Sequence, residues 1–365
     1  MPLTVCLVET ALPSSKGSMR RYADIIASAF AGDDRIHVER ACVAGDVQRL
    51  PGKLRTLAHH ASVVRNGRRL AKQSDAHLFH VIDGSHGYLA RVLRHYKTVV
   101  TVHDVIPKLQ SMGKFETASP GFLSRKIINF SLSGLPFADH LIFDSQSTLN
   151  DVAGLGISNR GKHSILFPPL EDQFSIRKID TTSTRPADLS VPFVFHIGNN
   201  GFYKNRKGVI EVFARVAAEI PHRLILAGPP PTLEHLDRVR QLQLTERVAF
   251  ESYPSDERVH LLYRHADVLM FPSFYEGFGW PPIEAMALGC PVVCSNGGSL
   301  GEVVGDAALV SGVGDVEAMA GNLLRLLSDS DLSSTMRAKG AEHASAFGIG
   351  EFSDTLRQIY LDVVG

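Results

Sequence analysis

The stretch FPSFYEGFGWPPIEAMALGCPVV, residues 271–293, decides the fold. Two glutamates, Glu276 and Glu284, enclose two glycines, two prolines and the only tryptophan of the chain. The apolar run DVLMFPS (267–273) reads as a buried strand, and PPIEAMALG (281–289) as a short helix. Pro281 and Pro282 suit the first helical turn, where backbone N–H groups have no internal partner, and Gly289 suits the position just past the helix end. The loop from Ser273 to Trp280 then lies at the carboxyl end of a parallel strand, the edge at which α/β sheets bind ligands. Gly277 and Gly279 let backbone approach a ligand closely, and the N–H groups there would meet hydroxyl or phosphate oxygens. Glu284, read in the first helical turn, would complement the helix dipole by about 0.3–1 kcal/mol. Glu276 has no such structural use. Two carboxylates beside a backbone-lined loop suit a ligand rich in hydroxyls, because each carboxylate accepts from two neighbouring O–H groups.

Outward from this segment, short apolar runs alternate with helix-like stretches along the whole chain. The strand candidates are 3–9, 37–43, 77–82, 98–103, 139–145 and 163–168, then 192–198, 223–228, 247–251, 267–273 and 291–295. Runs this short and continuously apolar suit strands buried on both faces of parallel sheets. The stretch 207–220, KGVIEVFARVAAEI, carries apolar residues at helical spacing. The alternation predicts an α/β fold with two Rossmann-like doubly wound domains facing across a cleft. The expected boundaries are a first domain at 1–170, a polar linker at 171–190, a second domain at 191–345 and a final helix at 346–365 that packs back on the first domain.

At 365 residues, 44% hydrophobic and 21% charged, the chain is long enough for two globular cores. No apolar run reaches a membrane-spanning length and the N-terminus shows no leader, so a cytoplasmic protein is expected, with Cys6, Cys42, Cys290 and Cys294 as reduced thiols. The net charge of zero hides an asymmetry: residues 1–180 carry 23 Lys and Arg against 16 Asp and Glu, whereas the remainder carries 15 against 22. Residues 47–74 contain no acid but hold Arg49, Lys53, Arg55, Arg65, Arg68, Arg69 and Lys72, interleaved with leucines and valines. A solvated helix is the plain reading of 49–72; an anionic membrane surface or a phosphate-bearing acceptor is the functional one. The aromatic and basic interleaving of nucleic-acid modules is absent.

The motifs PSFYEGFGWPPIEAMALGCPVVCSN, SLGEVVGDAALV, VVTVHDVIP (99–107), ADHLIFDSQST (138–148), FHIGNNGFYKNRKGV (195–209) and LLYRHADVLMFPS (261–273) come in order. Together they resemble the family 4 glycosyltransferases, retaining enzymes of the two-Rossmann architecture called GT-B, and among them the mannosyltransferase-like group. That resemblance implies transfer of a sugar from a nucleotide sugar, GDP- or UDP-linked, to a sugar, glycolipid or polysaccharide acceptor, with no metal or other cofactor. It implies catalytic roles for His103 and Glu276. It implies donor contacts by Gly17, Ser18, Asn199, Arg206, Lys207, Gly277, Phe278, Gly279 and Glu284, with Glu284 on the ribose and Lys207 on the diphosphate. Asn199 stands where the family often has Arg, and Arg20 stands where the first loop often has a second small residue, so Arg206, Lys207 and Arg20 or Arg21 share the expected phosphate clamp. A peripheral position on the inner membrane face and a role in surface polysaccharide or glycolipid assembly are the corresponding biological expectations. The alternatives are a nucleotide-sugar epimerase on the same fold and a non-catalytic sugar-nucleotide sensor. An NAD-dependent dehydrogenase would need G-x-G-x-x-G after the first strand, and LVETALPSSKGS lacks it.

Overall fold

A computed structural model of the chain describes residues 2–14, 17–47, 49–157, 161–174 and 185–365. The chain divides into two compact units, Met1–Pro169 with Gly348–Gly365, and Leu170–Phe347. The expected linker at 171–190 falls partly outside the described residues; on either side of them, Asp172–Phe174 and Ala187–Leu189 form single 3₁₀ turns.

The first unit holds β1 (Leu3–Glu9), β2 (Ile36–Cys42), β3 (Leu78–Val81), β4 (Lys97–Val102), β5 (His140–Phe143) and β6 (Lys162–Ile165), in the order β2-β1-β3-β4-β5-β6. The second holds β7 (Phe193–Ile197), β8 (Arg223–Gly228), β9 (Val248–Ser252), β10 (Val268–Phe271), β11 (Val292–Ser295) and β12 (Leu309–Ser311), in the order β12-β11-β10-β7-β8-β9. All these pairings are parallel. Both orders are doubly wound. The strand order reverses between β1 and β3 in one unit and between β7 and β10 in the other, and a crevice forms at the carboxyl ends on either side of such a reversal.

Side chains alternate across the second sheet. Phe193, Phe195, Leu269, Phe271, Val292 and Cys294 enter one core layer. Val194, Leu224, Leu226, Val268, Met270 and Val293 enter the other. Helices cover both faces, as continuously apolar strands require. The edge strands depart from the expectation of burial on both faces: β2, β6 and β9 each carry exposed or half-exposed positions, because an edge strand meets fewer neighbours.

The final helix, Ile349–Val364, packs on helix Ser18–Ala29 and on β4 within the first unit. Arg357 pairs with Asp33 at 2.8 Å, and the Tyr360 hydroxyl meets His80 Nδ1 at 2.7 Å. Cys6, Cys290 and Cys294 are buried, and burial pushes each thiol up to about 12. Among the described residues no helix is long and apolar enough to cross a membrane.

Candidate functional site

In the second unit the strand order reverses between β7 and β10, so the segments after these strands lie side by side. Hydrogen bonds join them. Phe274 N–H donates to the Tyr203 carbonyl at 2.7 Å, and Asn205 Nδ2 donates to the Pro272 carbonyl at 3.0 Å. Asn205 is the N-cap of helix Arg206–Val216: it stands at φ 51°, and its side-chain oxygen accepts from Gly208 N–H at 3.1 Å. A single side chain thus starts the helix and fixes the neighbouring loop.

Lys204, one residue before this cap, extends its ammonium to Glu276. Nζ lies 2.9 Å and 2.8 Å from the two carboxylate oxygens, and both side chains are largely buried. The Glu276 backbone is held from the other side by the segment after β11. Its carbonyl accepts from Ser299 N–H at 3.0 Å and Ser299 Oγ at 3.1 Å, and Ser299 Oγ also reaches the Phe278 carbonyl at 2.8 Å. Only glycine fits the contact. A Cβ on Gly298, at φ +64°, would stand 2.3 Å from the Glu276 carbonyl oxygen.

The helix after the loop runs Trp280–Ala287, with Gly279 as its N-cap at φ +96° and prolines in its first turn, as expected. Gly289, at φ +75°, follows the end. Glu284, however, is the fifth helical residue, one position further in than read from sequence and just past the first turn, so favourable placement against the helix dipole does not explain it. It is 4% exposed and accepts from the Tyr263 hydroxyl at 2.7 Å.

The cation at Glu276 is Lys204, which the sequence reading did not name, and not the expected Lys207. Lys207 sits one residue into the helix and pairs with the exposed Glu234 at 3.1 Å. Arg206 is 3% exposed; its Nη1 donates to Asn200 Oδ1 and the Pro229 carbonyl, and its guanidinium lies 5.9 Å from the Phe250 ring centre. Asn199 turns its own loop, accepting from Gly201 N–H at 2.7 Å and donating to the Tyr203 hydroxyl at 3.1 Å. Gly277 and Phe278 lie in the loop between the two glutamates, both buried.

In the first unit, Gly17 caps helix Ser18–Ala29 at φ +151°, with nothing within 4 Å of a Cβ placed there, and Ser18 is the exposed first residue of that helix. Arg20 is engaged elsewhere than in an open clamp: it meets Glu9 at 2.9 Å and Asp24 at 3.4 Å. His103 follows β4, and Asp144 follows the adjacent β5. Their contact is 2.5 Å at Nδ1, while Nε2 donates to the Ile82 carbonyl at 2.7 Å. Burial opposes charge on this ring, but the Asp144 carboxylate outweighs it and lifts the pKa to about 9. Both ring nitrogens thus face oxygen acceptors, a carboxylate and a carbonyl, an arrangement that favours the imidazolium form. Among the described residues no group of three or more His, Cys, Asp or Glu is positioned to hold a metal ion.

A family model described as Glycosyltransferase Family 4 matches residues 20–165, and one described as Glycosyl transferases group 1 matches residues 183–343. The chain belongs to the family 4 glycosyltransferases. Within that family it is 37% identical over 163 residues to the O-antigen chain mannosyltransferase B of Escherichia coli, covering 42% of each chain. It is 29% identical over 179 residues to the N-acetyl-alpha-D-glucosaminyl L-malate synthase of Bacillus anthracis, 48% of this chain and 46% of that protein. These two matches each span less than half the relative's length. The D-inositol 3-phosphate glycosyltransferase of Nocardia farcinica is 28% identical over 339 residues, 86% of this chain and 72% of that one. Among solved structures, sucrose-phosphate synthase from Thermosynechococcus elongatus superposes with a TM-score of 0.81 at 20% identity, covering 99% of both chains. WaaG, a glycosyltransferase involved in lipopolysaccharide biosynthesis, gives 0.76 at 15% identity over 98% of this chain and 99% of its own. At such identities the likeness establishes the GT-B fold of this glycosyltransferase family member and nothing finer.

Proposed function

We propose that the protein is a retaining, metal-independent hexosyltransferase, of the mannosyltransferase-like group, acting in the assembly of a bacterial surface polysaccharide or glycolipid. The observation that carries this reading is the Lys204–Glu276 pair at the strand reversal of the second unit. An ammonium has three donors, and Glu276 takes two of them. The third can meet a phosphate oxygen of a GDP- or UDP-sugar while the Glu276 carboxylate receives sugar hydroxyls. Departure of a nucleoside diphosphate builds negative charge on the leaving oxygen, and a preorganised cation in a poorly hydrated site stabilises it. In this scheme Lys204 neutralises the diphosphate, the role that the resemblance gave to Lys207. Glu284 holds the ribose hydroxyls, and the amides of Gly277, Phe278 and Gly279 meet the donor sugar and phosphate. Asn199 and Arg206 shape the donor loop, and Gly17 and Ser18 keep the donor contacts that the resemblance implies. Retention follows if the acceptor hydroxyl attacks from the leaving-group face and passes its proton to the departing phosphate oxygen. That route needs no side-chain base, and His103 keeps the catalytic role that the resemblance implies, as a cation held by Asp144 rather than as a base.

The names of the relatives, an O-antigen mannosyltransferase among them, support the polysaccharide context. Cytoplasmic placement, peripheral on an anionic inner membrane face, is supported by the acid-free helix Gly52–Gln73, which leaves Leu54 and Leu57 exposed. The test is nucleoside diphosphate release from a panel of GDP- and UDP-hexoses with a membrane-extract acceptor, the product anomer being read by NMR. Transfer with retained configuration supports the reading; inversion, or an epimerised donor without transfer, contradicts it.

A further inference from the structure

Helix Gly52–Gln73 and helix Phe122–Leu132 of the first unit border a surface cavity of about 660 Å³ lined by His60, Val64, Arg65, Arg68, Lys72 and Phe130, with Arg69 beside them. Leu54, Leu57, Ala61, Val64, Arg65, Arg68 and Lys72 recur at helical spacing and share one face of the longer helix. That face changes character along its length: apolar up to Val64, cationic from Arg65 onward. Arg65, Arg68, Arg69 and Lys72 form like-charge neighbours three and four residues apart, an arrangement that weakens a helix. Solvated helix faces usually interleave such cations with acids, yet residues 47–74 and 117–138 contain no Asp or Glu. The helix dipole accounts for Lys72 in the last turn but not for Arg68, one turn earlier, or Arg65, two turns earlier.

Beneath the cavity lies the carboxyl edge of the sheet. Phe130 stacks on Tyr88 at 4.5 Å between ring centres, and His60 Nδ1 meets the Tyr88 hydroxyl at 3.0 Å. The His60 ring is 5.4 Å from that of His86, which meets Asp83 at 3.0 Å and His59 at 3.1 Å. Asp83 follows β3 as His103 follows β4, so the cavity adjoins the edge that carries His103.

We infer that this cavity binds the phosphate or diphosphate of a lipid-linked acceptor, with the arginines on the phosphate oxygens and the apolar half-face and Phe130 along the first carbons of the lipid. Planar guanidinium groups match phosphate oxygens in pairs, and the apolar-to-cationic sequence along one helix face matches an anionic amphiphile lying parallel to it. This rests on the glycosyltransferase reading and names the acceptor class for it.

The test is titration calorimetry of the full chain with geranyl diphosphate, geraniol and inorganic pyrophosphate, and flotation with phosphatidylglycerol vesicles. Wild type is compared with Arg65→Ala/Arg68→Ala and with Lys72→Glu. The expected result is saturable binding of geranyl diphosphate, weaker binding of pyrophosphate, none of geraniol, and a loss of roughly tenfold or more in both variants. Both variants are exposed on the helix surface, so their melting temperatures and their response to nucleoside diphosphates should match wild type; that comparison separates failure here from failure of the donor-site reading. Undiminished geranyl diphosphate binding in the variants overturns the inference. So does vesicle binding that the variants lose while wild type ignores the soluble diphosphate, since the cations would then serve a bilayer surface alone.

Discussion

Lys204 Nζ lies within 2.9 Å of both carboxylate oxygens of Glu276, across a sequence separation of 72 residues. The contact exists because β7 and β10 are neighbours and because Asn205 stops the preceding loop one residue later. Lys204→Ala is expected to lower kcat/KM by about 10²–10³-fold, the usual effect of removing one preorganised charge stabiliser. Lys207→Ala, which loses only an exposed ion pair, should stay within a few-fold of wild type. Steady-state kinetics on the two variants checks this, and the reverse ranking would restore Lys207 to the diphosphate.

Asn205 combines a left-handed backbone with a cap and a bridge to Pro272. Asn205→Ala forces a Cβ into φ 51° and removes both hydrogen bonds, so a loss of about 2–3 kcal/mol is expected. Asn205→Gly relieves the strain and should cost about 1 kcal/mol or less. Urea midpoints at constant slope measure the two. Equal losses would show that the backbone conformation contributes nothing.

Gly298 and Gly289 separate strain from collision. Both have positive φ, but a Cβ at Gly289 meets open space whereas one at Gly298 meets the Glu276 carbonyl oxygen. Gly289→Ala should cost about 1–2 kcal/mol and leave ligand binding intact. Gly298→Ala must move the Glu276 loop, and should abolish the thermal response to a nucleoside diphosphate. A retained response would mean that the loop can shift without loss of the site.

The His103–Asp144 pair predicts a pH dependence. The folded-state pKa of His103 is raised from 6.5 to about 9, so its stabilisation is full below about pH 6.5 and is lost as pH rises through about 9. Thermal melts of wild type should decline across that window more steeply than those of Asp144→Asn, in which the Asp144 charge is gone and only the Ile82 carbonyl and the more distant Asp83 still oppose the effect of burial. Parallel profiles would contradict a charged His103.

Much of this was legible in the sequence, and the exceptions have local causes. The Glu276–Glu284 segment announced a strand, a loop and a helix because apolar run, glycines and prolines each have one consistent use. The string KNRKG offered three cations within four residues, and only the helix start decides which one turns inward. The signal was present in Asn205 and Gly208 as a cap pattern: it places Lys204 before the helix and Lys207 on its outer side. Asp144 as the partner of His103 follows from topology, since Val102 and Phe143 pair across β4 and β5 and the next residues of each strand emerge together. A list of strands without their order does not contain that. β12 escaped notice because its three residues, Leu309–Ser311, are too short to show a period. Ser299 and the two glycines before it read as an ordinary loop until the close approach of Gly298 to Glu276 gives them their use.

The most direct measurement is the melting temperature of the purified protein with UDP, GDP, ADP and TDP, for wild type and for Glu284→Gln, which keeps an acceptor for Tyr263. A ligand at a hundred times its dissociation constant adds about 2.7 kcal/mol to the folded state. The account predicts a rise with one nucleoside diphosphate, GDP or UDP, and its loss or marked reduction in Glu284→Gln. No rise with any of the four, or a rise that Glu284→Gln leaves unchanged, would contradict the donor site described around Lys204, Glu276 and Glu284.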